Sequence, residues 1–261
     1  MVKTDHKIII GDCLEVLKKV PSESVDLVFA DPPYNMSKKR GLGWKYSKHI
    51  TMQEEWDIFS KDDYLKFNQQ WIKECLRVLK HGGSLWICGS FHNIYQVGFI
   101  LQHIEDVKIN NSIVWFKPNA QPNITCRMFT ESTEHLIWAS KNGNGKKWRF
   151  NYSLMKKLNE GKQMRNVWSI PLTPKSEKWA GQHPTQKPME LLRRVILACT
   201  DEGDTVLDPF LGSGTTSAVA KMLNRNSIGI EKEKKYLPII KKRLNPPQRK
   251  IGEESSIEVL A

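Results

Sequence analysis

Four consecutive residues, Asp31-Pro32-Pro33-Tyr34, combine a carboxylate, a rigid backbone and a flat aromatic face. They follow the apolar run Val25–Ala30, which reads as a buried strand, so they lie at a carboxyl edge where open α/β sheets bind ligands. The prolines fix the backbone and leave the Pro32 carbonyl free of competing local donors. The Asp31 carboxylate and that carbonyl can together accept two hydrogens from one amino group. Such a grip aims the nitrogen lone pair at an electrophile and lets the nitrogen become tetrahedral. Tyr34 offers a stacking face for a planar base drawn out of its own stack. The competing reading is a Pro-rich turn in which Asp31 only caps the strand.

A second constellation lies far downstream, at Asp208-Pro209-Phe210-Leu211-Gly212-Ser213-Gly214-Thr215-Thr216. A strand leads into it and a helix leaves it, so its glycines allow close backbone approach to a ligand and the helix start offers free N–H groups. The Gly-Lys-[Ser/Thr] ending of a phosphate loop is absent, which argues against an ATPase. Glu231, about 20 residues on at the end of the next strand, is placed to accept ribose hydroxyls. A nucleoside with little or no phosphate suits this pair. Upstream, His183-Pro184-Thr185-Gln186-Lys187-Pro188 brings a hydroxyl, an amide and an ammonium that could hold a zwitterionic amino acid. A plain helix entry is the alternative there.

These residues need elements to position them. Ile8–Ile10 and Val25–Ala30 read as strands, Cys13–Val20 as a helix N-capped by Asp12, and Asp62–Leu79 as a helix with Phe67, Trp71, Cys75 and Leu79 in line. Gly82-Gly83 is expected to stop that helix before a strand at Ser84–Cys88, with further strands at Ser112–Phe116 and His135–Ala139. Beyond Pro188 the pattern resumes: a helix, the strand Val206–Leu207, the glycine turn and a helix, then the strand Ser227–Ile230 and a closing helix at Tyr236–Leu244. The alternation predicts a mostly parallel sheet with helices on both faces. Residues 1–244 are read as one domain and 245–261 as a loose tail. Two basic stretches break the rhythm: Met36–Ile58, read as a mobile loop, and Lys141–Gln182, rich in Lys and Arg with interleaved aromatics.

A net charge of +12 and a pI near 9.4 favour a polyanionic partner, because neutralised phosphates release counterions. No run of about 18 apolar residues and no leader-like start are present, so a cytoplasmic protein without a membrane partner is expected. Five scattered cysteines form no Cys-x-x-Cys, so neither a zinc site nor a disulfide framework is expected, and no metal. No Pro-Cys dipeptide occurs, which disfavours cytosine-C5 chemistry through a cysteine nucleophile.

In this order, Asp31–Tyr34, then His183–Pro188, then Asp208–Thr216 resemble the amino-group DNA methyltransferases of the β class, over about Ile8 to Leu244. Gly89–Tyr95, Phe129–Glu134, Gly161–Met164 and Lys178–Gly181 are similar to the second, single-strand-tolerant GATC adenine methylase of DpnII-type restriction systems. The resemblance implies a Rossmann-like methyltransferase fold with an inserted target-recognition segment at 141–182 and a DNA-closing loop at 36–58. It implies S-adenosyl-L-methionine as cofactor and adenine N6 in a GATC-like site as target. Asp31, Pro32 and Tyr34 would be catalytic. Asp208, Phe210, Gly212, Gly214 and Thr215 would line the cofactor, with Glu231 on its ribose, Asp12 on its adenine, and His183, Thr185, Gln186 and Lys187 on its methionine end. Arg127 and Phe129 are expected near the base site. The partners implied are DNA, double- or single-stranded, and a cognate restriction endonuclease; a monomer and a homodimer both fit. N4-cytosine methylation, RNA methylation and a catalytically silent DNA-binding subunit stay open as alternatives. Asp rather than Ser before Pro-Pro-Tyr leans towards adenine, and intact Asp31, Tyr34 and glycines argue against a silent subunit.

Overall fold

The computed structural model describes residues 4–37, 55–123, 125–142, 145 and 147–246. Among these residues eight strands form one sheet: β1 (His6–Ile10), β2 (Val25–Ala30), β3 (Leu79–Gly89), β4 (Val107–Phe116), β5 (Thr133–Lys141), β6 (Val167–Ser169), β7 (Thr205–Asp208) and β8 (Asn226–Glu231). Their spatial order is β1-β8-β7-β2-β3-β5-β4-β6. Every pairing is parallel except the two that β5 makes, with β3 and β4. β1, β8, β7 and β2 therefore all end on one edge.

Seven helices among the described residues cover the sheet: α1 (Cys13–Leu17), α2 (Lys61–Val78), α3 (Ile94–Gln102), α4 (Tyr152–Leu158), α5 (Met189–Cys199), α6 (Thr215–Met222) and α7 (Leu237–Leu244). Alternate strand residues point to opposite faces. Val28 and Ala30 of β2 join Trp71, Ile72 and Cys75 of α2 in one core, whereas Leu27 and Phe29 join Leu192, Val195 and Ile196 of α5 in the other. Burial on both faces explains why β2 is a continuous apolar run broken only by Asp26. Asp26 is itself paired: its carboxylate takes Lys80 Nζ of β3 at 2.8 and 2.9 Å and the Thr205 N–H of β7 at 2.9 Å. No helix among the described residues is long and apolar enough to cross a membrane.

The structure departs from the sequence expectations at three places. Gly82-Gly83 does not stop α2, which ends at Val78 where Leu79 turns extended (φ −68°, ψ 136°). β3 starts at once, and the glycines accommodate a bulge: the register passes from Val25↔Leu79 to Leu27↔Ser84, with Gly82 at φ +80°. α3 was not foreseen, because its apolar residues lie on two sides, Ile94, Val97 and Leu101 inward and Tyr95 and Phe99 outward. The basic stretch 141–182 is partly architecture. It holds α4 and β6, and Met155, Trp168, Ile170 and Ala180 are buried. Trp168 packs at 6.0 Å from the Trp86 ring and so is not a surface aromatic.

The chain order and the sheet order differ strongly. β1 sits at the edge beside β8, and β7 inserts between β8 and β2, so the first and last strands of the chain are neighbours. Where α6 begins, Gly214 has φ +82°, and a Cβ there would stand 3.2 Å from the Ile240 Cα of α7. Gly214→Ala should therefore lose about 2 kcal/mol in a urea titration, from the left-handed backbone alone, and more from the helix contact. An unchanged midpoint would contradict the strained backbone as well as the close helix contact.

Candidate active site

The four parallel strands β1, β8, β7 and β2 deliver their C-terminal residues to one cavity of about 910 Å³, counted out to its open mouth. Asp12, Asp31, Asp208 and Glu231 all line it, joined by His183, Thr185, Gln186 and Lys187 from the segment before α5. Of the residues singled out in the sequence, Phe210, Gly212 and Thr215 are there too. Pro32, Tyr34 and Gly214 are not among the lining residues: Tyr34 stands behind Asp31, and Gly214 faces α7. Asp12 does both things its position suggests. It caps α1 through the Leu14 N–H at 3.0 Å and lines the cavity.

The glycine turn is organised by the two carboxylates at the strand ends. Asp208 accepts from the Phe210 N–H at 2.9 Å and from Thr216 Oγ1 at 2.5 Å. Glu231 accepts from the Gly212 N–H at 2.7 Å and the Glu233 N–H at 2.7 Å. A phosphate loop would aim the Gly212 N–H at its ligand; here a carboxylate takes it and would repel a phosphate. The lining otherwise offers apolar and hydroxyl-seeking surface. Phe210 meets Trp71 edge-on at 5.3 Å, and Glu231 keeps unused lone pairs. His183 lies against Gly212, where a Cβ would come within 3.2 Å of the imidazole, and its ring packs on Tyr236 at 4.3 Å.

Beside the cavity lies a cluster that the sequence showed only in part. Lys187 Nζ donates to Asp31 Oδ2 at 2.6 Å and lies 3.5 Å from Glu134 Oε2. The Tyr34 hydroxyl points at Asp31 Oδ1 (2.8 Å) and Glu134 Oε2 (3.1 Å), and Lys117 Nζ reaches Glu134 Oε1 at 3.3 Å. Glu134 and Lys117 flank the β4–β5 connection, and nothing in their local sequence points to Asp31. Lys187, expected at the methionine end of a cofactor, lines the cavity and gives its ammonium to Asp31. Burial raises Asp31 above the ordinary aspartate range, Lys187 opposes this and Glu134 adds to it. Burial also pulls Lys187 down, but the two carboxylates outweigh it and hold the ammonium above its ordinary value. Burial would raise Glu134 too, but Lys187 and Lys117 outweigh it, so Glu134 lies below its ordinary value. Of the two carboxylates, Asp31 is thus the one pushed up and Glu134 the one held down.

The exit of the tetrapeptide is pinned as well. Asp57, 1% exposed, accepts from the N–H groups of Asn35 (2.6 Å), Met36 (2.9 Å) and Ser37 (2.8 Å), while Asn35 Oδ1 accepts from the Phe59 N–H at 2.9 Å. Tyr64 of α2 donates to the Pro33 carbonyl at 2.6 Å. Among the described residues no donor takes the Pro32 carbonyl. The stretch 38–54 of the loop read at 36–58 lies outside the described residues.

An open, mostly parallel sheet with its cavity at the strand ends and a glycine turn opening a helix defines a nucleoside-binding α/β protein. Comparison with known proteins narrows the class. The DNA methylase family model (N6_N4_Mtase) matches residues 25–242, and the chain belongs to that family. Type II methyltransferase M2.LlaDCHI of Lactococcus lactis subsp. cremoris is 50% identical over 237 residues, 90% of this chain and 87% of the relative. Type II methyltransferase M2.DpnII of Streptococcus pneumoniae is 51% identical over 236 residues, with the same coverage. Among solved structures, the M1.HpyAVI–SAM complex superposes with a TM-score of 0.69 at 29% identity, covering 92% of this chain and 99% of the other.

Asp208 gives a pH test of the turn. Burial pushes its carboxyl up from 3.8 to about 7, against the opposing bonds from Thr216 and Phe210. A raised folded value means that its contribution to stability is whole below about 3.8 and lost as pH rises through about 7. Asp208→Asn, which has no charge to bury, should flatten that loss: its thermal midpoint should gain on wild type between pH 5 and pH 8. A constant difference across that range would contradict the assignment.

Proposed function

We propose that this chain transfers a methyl group from S-adenosyl-L-methionine to N6 of adenine in DNA, at a GATC-like site, as a modification enzyme that partners a cognate restriction endonuclease. The observation that carries the chemistry is the Asp31–Tyr34–Lys187–Glu134 cluster at the cavity wall. The choice of base and site rests on the likeness to M2.DpnII and M2.LlaDCHI and on the DpnII-type stretches of the sequence. We read residues 1–244 as the methyltransferase domain.

The cavity residues fit the cofactor. Gln186 lines it with a buried amide oxygen that no donor among the described residues meets, suited to an α-ammonium, while its Nε2 is held by the Glu177 carbonyl at 3.0 Å. Thr185 and His183 stand beside it, Glu231 suits ribose hydroxyls, and Asp12 and Phe210 suit an adenine edge and face. S-adenosyl-L-methionine supplies an electrophilic methyl on a cationic sulfur, and the acidic lining favours that charge. Toward the DNA, Asp31 and the Pro32 carbonyl accept the two amino hydrogens and orient the lone pair. Lys187 and Tyr34 hold the two Asp31 oxygens, each of which keeps a lone pair for the incoming N–H. Catalysis here is positioning and electrostatics. As nitrogen gains its methyl it becomes acidic, and Asp31 Oδ1 or Oδ2 takes the proton. The exposed Lys147, Lys162, Arg165 and Lys175 of 141–182 face phosphates, whereas Arg149 is tied to Asp201 and Asp204.

Radiolabelled cofactor, defined oligonucleotides and identification of the modified nucleoside test the reading. N6-methyladenine is expected; N4-methylcytosine, or label in RNA alone, would sink it. Asp31→Ala should lose roughly 10³-fold or more in turnover and keep cofactor affinity. Turnover requires ionised Asp31, so the acid limb of its pH profile should lie above an ordinary aspartate. Glu134→Gln removes a charge that raises Asp31, so the limb should move to lower pH. A limb that stays put would leave Glu134 without this role.

A further inference from the structure

Residues 125–131, between β4 and β5, are exposed one after another. Phe129 is 100% exposed and Met128 68%, with Arg127 beside them. Single exposed apolar side chains are ordinary; the place of this pair is not. β5 runs antiparallel to β3 with His135 opposite Gly89, so the connection leaves the sheet on the edge where β2 and β3 end. Its two ends are tied to each other and to the active site. The Lys117 N–H donates to the Ser132 carbonyl at 2.7 Å, Lys117 Nζ meets Glu134 at 3.3 Å, and Glu134 meets the Tyr34 hydroxyl. The few residues from Phe129 to Glu134 span at most about 17 Å. The tip is therefore a projection hinged on the cluster that would receive the flipped base.

We propose that Phe129, backed by Met128, is a wedge that enters the base stack of duplex DNA as the target base leaves it. The proposal rests on the DNA methyltransferase reading and adds to it the element that holds the duplex open. Flipping leaves a gap and an unpaired partner, and the unstacking costs a few kcal/mol. Apolar side chains inserted between base steps offset that cost by stacking on the flanking bases. Arg127 on the same tip meets a phosphate, in keeping with the net charge of +12. A single strand has no gap to fill, so the wedge acts on duplex DNA alone.

The test compares wild type, Phe129→Ala and Phe129→Trp on one target sequence presented as duplex and as single strand, with 2-aminopurine at the target position for the flipped state. Phe129→Ala should lower the ratio of duplex to single-strand turnover about tenfold or more, the size of one lost stacking contact. It should also quench the 2-aminopurine signal on duplex, and Phe129→Trp should restore both. An unchanged ratio, whether turnover is retained or falls equally on both substrates, overturns the wedge. Because the ring packs on nothing among the described residues, the variant should fold, and equal thermal midpoints check this. Failure of the underlying reading shows separately, as wild-type enzyme that labels no amino base in either DNA.

Discussion

The parallel pairing of β2 with β7, Leu27↔Val206 and Val28↔Leu207, sets where everything else in the site must stand. Both strands are buried on both faces and neither has freedom to slip, since a one-residue shift would turn core side chains to the wrong face. Asp31 follows β2 and Asp208 ends β7, so this one register places the Asp31 carboxylate against a glycine turn. Asp26 reinforces it from the opposite edge by holding β3 and β7 together. The residues before α5 then reach across, and Lys187 closes the arrangement on Asp31 over a separation of 156 positions.

Charge balance is the second constraint. Asp31 and Glu134 would repel each other in a buried site, but Lys187 and Lys117 make the cluster formally neutral. Such a network is costly to break, because removing one member leaves an uncompensated buried charge. It is also asymmetric. Glu134 has two ammonium partners at 3.3 and 3.5 Å, whereas Asp31 has one at 2.6 Å and a hydroxyl. The asymmetry leaves Asp31 as the carboxylate whose protonation state is open to change, and Asp31 is the one that lines the cavity.

Much of this was legible from short motifs. Asp31–Tyr34, Asp208–Thr216 and Glu231 each follow an apolar run, and a strand end in an open α/β sheet is where ligands gather. What escaped was non-local. Glu134 looks like one charged residue at the start of a strand, and Asp57 like one acid beside a tryptophan; only the fold brings them to Tyr34 and to the Asn35–Ser37 backbone. The reading of Gly82-Gly83 as a helix stop failed because glycine serves a bulge as readily as a cap, and local sequence does not separate the two. Stretch 141–182 looked uniformly superficial because its charge hid the apolar spacing of Met155, Trp168 and Ile170.

The displaced strand order has a temporal side. On a ribosome the Asp31–Tyr34 tetrapeptide emerges early, while β7 and β8, the walls of the cavity, come last among the strands. β1 must wait exposed at an edge for β8, and β2 for β7, so the closing contacts are among the longest-range in the chain. Topologies of this kind fold slowly, since loop closure must precede any reward from pairing. A half-made chain carries the Asp31–Tyr34 tetrapeptide but not Lys187, β7 or β8, so neither the ion-pair partner of Asp31 nor the walls of the cavity are yet in place.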